Sequence, residues 1–188
     1  MGRKAILIGA AAAVALSVMA AGSASAAVSV LGNGLANACS SAALSGDADD
    51  KSIETCTMAL TDSLTEQEKA GTYVNRGVLM LRRRNFVAAR ADFDSALKLV
   101  PTMGEAVVNR GASLVAERRF AEGLAEIDRG LAMNPEEPEK AYYNRALANE
   151  GLDDMKAAYL DYMKALELAP NWEDPRRELA RFTVEQPE

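Results

Sequence analysis

Three arginines each stand sixteen residues ahead of an acid: Arg76 and Asp92, Arg110 and Glu126, Arg145 and Asp161. A guanidinium and a carboxylate can share two parallel hydrogen bonds, so this recurring spacing reads as three ion pairs. The alternative chemistry is a ladder of arginines that binds an anionic ligand. An asparagine precedes each arginine, at Asn75, Asn109 and Asn144. Its side chain donates and accepts at once, which suits the backbone of an extended peptide. Two cysteines, Cys39 and Cys56, complete the set, and the 188 residues include no histidine. Ser–His–Asp and Cys–His catalysis, histidine general bases and His-containing metal sites are therefore excluded.

Other clusters resolve into solvated structure. The chain has 21 basic and 27 acidic residues, a net charge of −6, which is a poor footprint for nucleic acid or an anionic membrane surface. Arg82-Arg83-Arg84 and Arg118-Arg119 fall where cations complement a helix C-terminus. Asp47, Asp49 and Asp50 resemble the start of a calcium loop. No glycine follows at its sixth position, however, and Met58 stands where a bidentate glutamate belongs. They read as a turn with helix-capping acids. No metal, no cofactor and no catalytic dyad is expected, so the protein reads as non-catalytic.

The elements that position these residues follow from a repeat. Asn75-Arg76-Gly77 recurs as Asn109-Arg110-Gly111 and as Asn144-Arg145-Ala146, at offsets of 34 and 35. The same offsets relate Phe93, Ile127 and Tyr162, the small residues Ala96, Gly130 and Ala165, and Pro101, Pro135 and Pro170. Phe86, Phe120 and Met155 form another apolar column, and Ala89, Gly123 and Ala158 another small one. A fixed period near 34 marks a helical repeat array. Small residues let two antiparallel helices approach, bulky ones fill the seam, and proline ends the second helix. Gly123 and Gly130 each lower helix propensity by roughly 1 kcal/mol against alanine, which predicts that the second hairpin is the softest.

Small residues at Gly77, Ala89 and Ala96, aromatics at Tyr73, Phe86 and Phe93, and the closing Pro101 resemble a tetratricopeptide repeat, and two later copies match similarly. The resemblance covers about residues 70–172. It implies an all-α, right-handed solenoid of helical hairpins. The arginines then occupy a place where such repeats usually carry leucine, so the ion pairs join the two helices of each hairpin. By the same resemblance the first helix of each repeat lines a concave groove. That face would carry Val74, Asn75, Val78, Leu81, Val108, Asn109, Ala112, Val115, Tyr143, Asn144 and Leu147. So apolar a groove implies an occupant: a peptide or protein partner, or else the C-terminal helix or a second copy. The family's carboxylate-clamp ligand is not carried over, because only Lys140 and Asn109 match its pattern.

A degenerate copy precedes the regular three. Cys56 and Ala59 fit the Phe93 and Ala96 columns at an offset of 37, and Thr65 with Glu68 forms a capping box before the next helix. Residues 1–26 read as a secretory leader, with basic Arg3 and Lys4, an apolar stretch from Ala5 to Ala21, and small-x-small Ala24-Ser25-Ala26. Its removal would leave 19 basic against 27 acidic residues, net −8 (19 − 27). An exported, oxidising setting makes a Cys39–Cys56 disulfide the default, and a redox-active dithiol the rival. Such a staple would close the degenerate hairpin and contribute roughly 3 kcal/mol.

The expected plan is a leader at 1–26, then a flexible start and stapled hairpin at 27–66. Repeats follow at about 70–103, 104–137 and 139–172, within a 67–172 block. A helix opening at Asp174-Pro175 and running to about Val184 would cap the array through Leu179 and Phe182, inside a final 173–188 unit. The expected protein is an exported, periplasmic or secreted adaptor with a protein or peptide partner. It would bind no nucleic acid and not span a membrane once mature. A self-associating structural subunit, hence a homo-oligomer, is the alternative.

Overall fold

A computed structural model describes residues 7–10, 24–30 and 34–185. Four helical hairpins follow one another along the chain. They are α1 (Gly34–Ser45) with α2 (Asp50–Ala59), α3 (Glu66–Arg82) with α4 (Phe86–Leu99), α5 (Gly104–Ala116) with α6 (Phe120–Leu131), and α7 (Pro138–Gly151) with α8 (Met155–Leu168). Each hairpin packs on the next, and a short α9 (Glu173–Leu179) rests on α8. The result is an all-α hairpin solenoid. Among the described residues no helix is long and apolar enough to cross a membrane.

The repeat columns become physical seams. Phe93, Ile127 and Tyr162 are fully buried, as are Ala89, Ala96, Ala158 and Ala165. A Cβ on Gly77 would lie 2.5 Å from Phe93 Cε1, so the aromatic column needs the small one opposite it. The second hairpin is closer still. A Cβ on Gly123 would fall 2.6 Å from Val115 Cγ2 and 2.9 Å from the Gly111 carbonyl oxygen, and one on Gly130 would fall 2.6 Å from Val108 Cγ2. Its glycines lower helix propensity but let α5 and α6 approach backbone to backbone.

The turns inside the three regular hairpins repeat as well. Arg84, Arg118 and Asp153 have φ of 60°, 65° and 65°. One residue later, the amides of Asn85, Arg119 and Asp154 donate back to the carbonyls of Met80, Leu114 and Asn149, a helix-ending pattern that needs a left-handed residue. Asn85 and Asp154 then cap the following helices through Ala88 N and Ala157 N. The basic clusters thus sit in solvated helix ends. Thr65 and Glu68 make the expected capping box, and Asp49 caps α2 through Ser52 N.

In the first hairpin Cys39 and Cys56 are disulfide-bonded and fully buried, with their Cα atoms 4.8 Å apart. The ends differ from expectation. The last helix is α9, opening at Glu173 rather than Pro175 and stopping at Leu179. Phe182–Glu185 form a strand, β2, paired antiparallel with β1 (Leu7–Ala10). Leu179 and Phe182 still pack on the terminal cluster around Tyr143 and Tyr162, but from a helix and a strand. Thr183 and Val184 are β-branched, which favours the extended pairing over further helix. Burial holds the Glu178 carboxyl above its ordinary range although Arg181 Nη2 lies 2.7 Å away, with Glu150 adding to the rise. Arg3, Lys4 and the apolar residues 11–21 of the expected leader lie outside the described residues, as do residues 31–33 and 186–188.

Candidate peptide-binding groove

The first helices α3, α5 and α7 align Asn75, Asn109 and Asn144, each with its side chain fully buried. Helical spacing makes this unavoidable. Residues 71, 75, 78 and 82 share one stripe of α3, and the same offsets place Asn109 with Ala112 and Asn144 with Leu147. Across this row lies an extended segment, Ala24–Val30. Asn75 Oδ1 accepts from Val28 N at 2.8 Å while its Nδ2 donates to Val28 O at 2.8 Å. Asn109 repeats the clamp on Ala26, accepting from its amide at 3.1 Å and donating to its carbonyl at 2.8 Å. Asn144 Nδ2 donates to Ala24 O at 2.8 Å. From α1, Ser40 Oγ donates to Val28 O at 2.9 Å and accepts from Val30 N at 3.3 Å.

Every second residue of the segment meets one repeat. Alternate residues of extended chain present their peptide groups to the same side, so a period of two along the segment meets the 34-residue period of the array. The segment runs from α7 towards α1, against the order of the repeats. Its side chains are enclosed: Ser25 is 3% exposed, Ala26 1% and Val30 5%. A Cβ on Gly71 would lie 2.8 Å from Val30 Cγ2 and 3.4 Å from Val28 Cγ1, so α3 is bare where the valines cross it. The flexible start expected from residue 27 is instead ordered against the groove at 27–30.

The row is not fully satisfied. Asn144 Oδ1 and Ser25 Oγ are buried without a hydrogen-bond partner among the described residues. A polar atom left so costs about 1–3 kcal/mol, against about 1 kcal/mol net gained by each bond that is made. Tyr143 Oη is also without a partner among the described residues. Burial, with the Glu178 carboxylate second, pushes its ionisation above the ordinary phenol range.

The apolar groove residues named from the sequence divide in two. Val78, Ala112 and Leu147 share the asparagine stripe. Val74, Leu81, Val108, Val115 and Tyr143 do not. They fall with Gly77, Gly111 and Ala146 on the stripe that faces the second helix. Val108 and Val115 lie against Gly130 and Gly123, and Tyr143 packs its ring on Tyr162 and Trp172 at centroid distances of 5.5 and 4.9 Å. One residue is 100° of helix rotation, enough to move a side chain from groove to seam. Lys140 is engaged by Glu137 at 2.6 Å.

The arginines turn to their acids. Arg76 binds both oxygens of Asp92 at 2.7 and 2.8 Å, Arg145 binds both of Asp161 at 2.7 and 2.9 Å, and Arg110 directs two nitrogens to Glu126 Oε2 at 2.7 and 3.1 Å. Each also reaches back to the preceding hairpin: Arg76 to Thr57 Oγ1 at 3.1 Å, Arg110 to Asp94 at 2.5 Å and Arg145 to Asp128 at 2.9 Å. Asn149 donates to Asp161 at 3.0 Å as a further support. Hydrogen bonds from Asp92 and from Asp161 hold Arg76 and Arg145 above the ordinary guanidinium range. Arg110 is raised too, where Glu126 and Asp94 outweigh the opposing effect of burial. These cations are spent within the scaffold rather than offered to an anion in the groove.

Thr57, Asp94 and Asp128 were missed because the subtraction ran only forward from each arginine. Running backward, Asp94 and Asp128 precede Arg110 and Arg145 by 16 and 17 residues. Ser40 and the Ala24–Val30 segment had no such signal.

Residues 139–171 match the tetratricopeptide repeat family model. No curated protein matches the chain. Among solved structures, the Arabidopsis OM64 TPR domain superposes with a TM-score of 0.56 at 21% identity, covering 62% of this chain and 96% of that one. The first TPR of Spaghetti (RPAP3) bound to the HSP90 peptide SRMEEVD gives 0.55 at 24% identity, covering 61% and 90%. A MamA RS-1 ArsTM double mutant gives 0.57 at 19% identity, covering 77% and 79%. Hairpin geometry, repeat columns and these likenesses agree that the chain is built as a tetratricopeptide-repeat solenoid.

Proposed function

We propose that this solenoid is a non-catalytic interaction scaffold of the bacterial cell envelope, which holds an extended segment of a partner protein against the asparagine row. One observation carries the reading: Asn75 and Asn109 each grip a peptide unit through both its N–H and its C=O. Such a clamp recognises an extended backbone, not a side chain or a small molecule. The solved RPAP3 relative, bound to an HSP90 peptide, supports the peptide class of ligand. Export is supported by the basic, apolar and small-x-small order of residues 1–26 and by the Cys39–Cys56 disulfide.

A photo-crosslinking residue at Leu147, half-buried on the asparagine stripe, tests this in cells. The expected product is a heterologous polypeptide, lost when Asn109 is replaced by Ala. A product made only of this chain would overturn the adaptor reading in favour of the self-associating subunit. That second reading has its own support, since the present occupant of the row belongs to the same sequence.

A further inference from the structure

The residues that occupy the asparagine row are also the residues that the sequence marks for removal. Ala24 sits on Asn144 and Ala26 on Asn109, while Val28 and Val30 sit on Asn75 and Ser40. Ala24-Ser25-Ala26 is the small-x-small site of the expected leader. We propose that Ala24–Val30 is an intramolecular stand-in for the partner, and that cleavage after Ala26 vacates the Asn109 and Asn144 clamps for an extended peptide with small side chains at alternate positions. The proposal rests on the peptide-groove reading above and names the competitor and the ligand chemistry. Cleavage is hydrolysis of the Ala26–Ala27 peptide bond by water, its hydroxyl completing the Ala26 carboxylate and its proton the Ala27 amine. The enzyme belongs to the signal peptidase class.

Three observations support a ligand of this kind. The enclosure of Ala26 at 1% exposure and Ser25 at 3% leaves no room for a larger side chain on that stretch. The clamps act only on main-chain atoms, so any small sequence of the same polarity satisfies them. The stand-in is also an imperfect occupant, because it leaves Asn144 Oδ1 and Ser25 Oγ unpaired among the described residues. A peptide that offers an amide to Asn144 Oδ1, or carries alanine at the Ser25 place, gains over it. Two of the three clamps are released by the cut, whereas Val28 and Val30 stay on the mature chain and hold the start of the row.

The probe is a fluorescent peptide with the sequence of residues 24–30, Ala-Ser-Ala-Ala-Val-Ser-Val, followed by anisotropy. The uncleaved full chain is expected to bind it at least tenfold more weakly than the full-chain Ala26→Pro variant. That substitution removes the N–H that Asn109 accepts and adds ring atoms where there is no room. Adding Asn109→Ala is expected to abolish the gain, and a probe with Leu at the Ala26 place to lose at least tenfold. On the unaltered chain, saturating probe is expected to speed amide exchange at Ala26 and Val28, a readout that needs no variant to fold. Equal binding by the full chain and Ala26→Pro overturns the stand-in, while the Leu147 crosslink can still succeed. Unchanged exchange at Ala26 and Val28 with probe bound, or no binding of the probe by either chain, overturns it too.

Discussion

At the residue scale the arginines show how one side chain can serve two interfaces. Arg110 ties α5 to α6 through Glu126 and to α4 through Asp94, and Arg145 does the same through Asp161 and Asp128. The series starts with Thr57 in place of the backward acid and ends at Met163, which occupies the next position of that column and is 46% exposed. An acid is present wherever a following arginine exists to meet it. The Asp92 side chain is only 8% exposed, so removing its partner strands a charge. Arg76→Met is expected to cost about 3 kcal/mol in urea unfolding, whereas Arg76→Met with Asp92→Leu should return to within about 1 kcal/mol of the parent chain. A single variant that loses less than the double would show that the pair does not carry the hairpin.

At the element scale, propensity and packing disagree in α6, and packing wins. Helix propensity predicts that alanine at Gly123 adds about 1 kcal/mol. Contacts of 2.6 Å to Val115 Cγ2 and 2.9 Å to the Gly111 carbonyl oxygen predict the reverse, since a carbonyl in a helix cannot move aside. Gly123→Ala is expected to destabilise by roughly 1–2 kcal/mol through overpacking. Gly34→Ala meets nothing within 4 Å at the start of α1 and should leave the melting temperature unchanged or raised. Thermal unfolding of the two variants decides it, and a rise for Gly123→Ala would restore the view of α6 as merely weak. The columns Ala89, Gly123, Ala158 and Ala96, Gly130, Ala165 were legible as small positions. Which of them a methyl group can fill depends on helix separation, and that is a tertiary quantity.

At the scale of the molecule, each hairpin touches only its neighbours, so stability is shared along the array and a terminal hairpin is its weak end. The Cys39–Cys56 bond closes that end at α1 and α2. Ser40 beside it holds Val28 and Val30, which couples the staple to the occupancy of the groove. Replacing both cysteines by serine is expected to remove roughly 3 kcal/mol from the first hairpin. Amide exchange should quicken across α1, α2 and Val30 while α7 and α8 keep their protection. Equal loss of protection through α8 would mean that the array unfolds as one unit.

The period near 34, the seam columns, the forward ion pairs and the paired cysteines were all readable from sequence, because each depends on residues a fixed distance apart along regular helices. The asparagines were readable as backbone binders for the same reason. Two things were not. The rotation of each first helix sends Val74, Leu81, Val108, Val115 and Tyr143 into the seam, a matter of 100° that periodicity alone does not orient in space. The occupant of the groove was also hidden. Ala26 and Asn109 are separated by 83 positions, and their bonds use main-chain atoms of one partner. Any small residue offers the same N–H and C=O, so no pattern of side chains announces the pairing. Only the folded array, by bringing Asn75, Asn109 and Asn144 into one row, decides that an extended chain lies there and in which direction it runs.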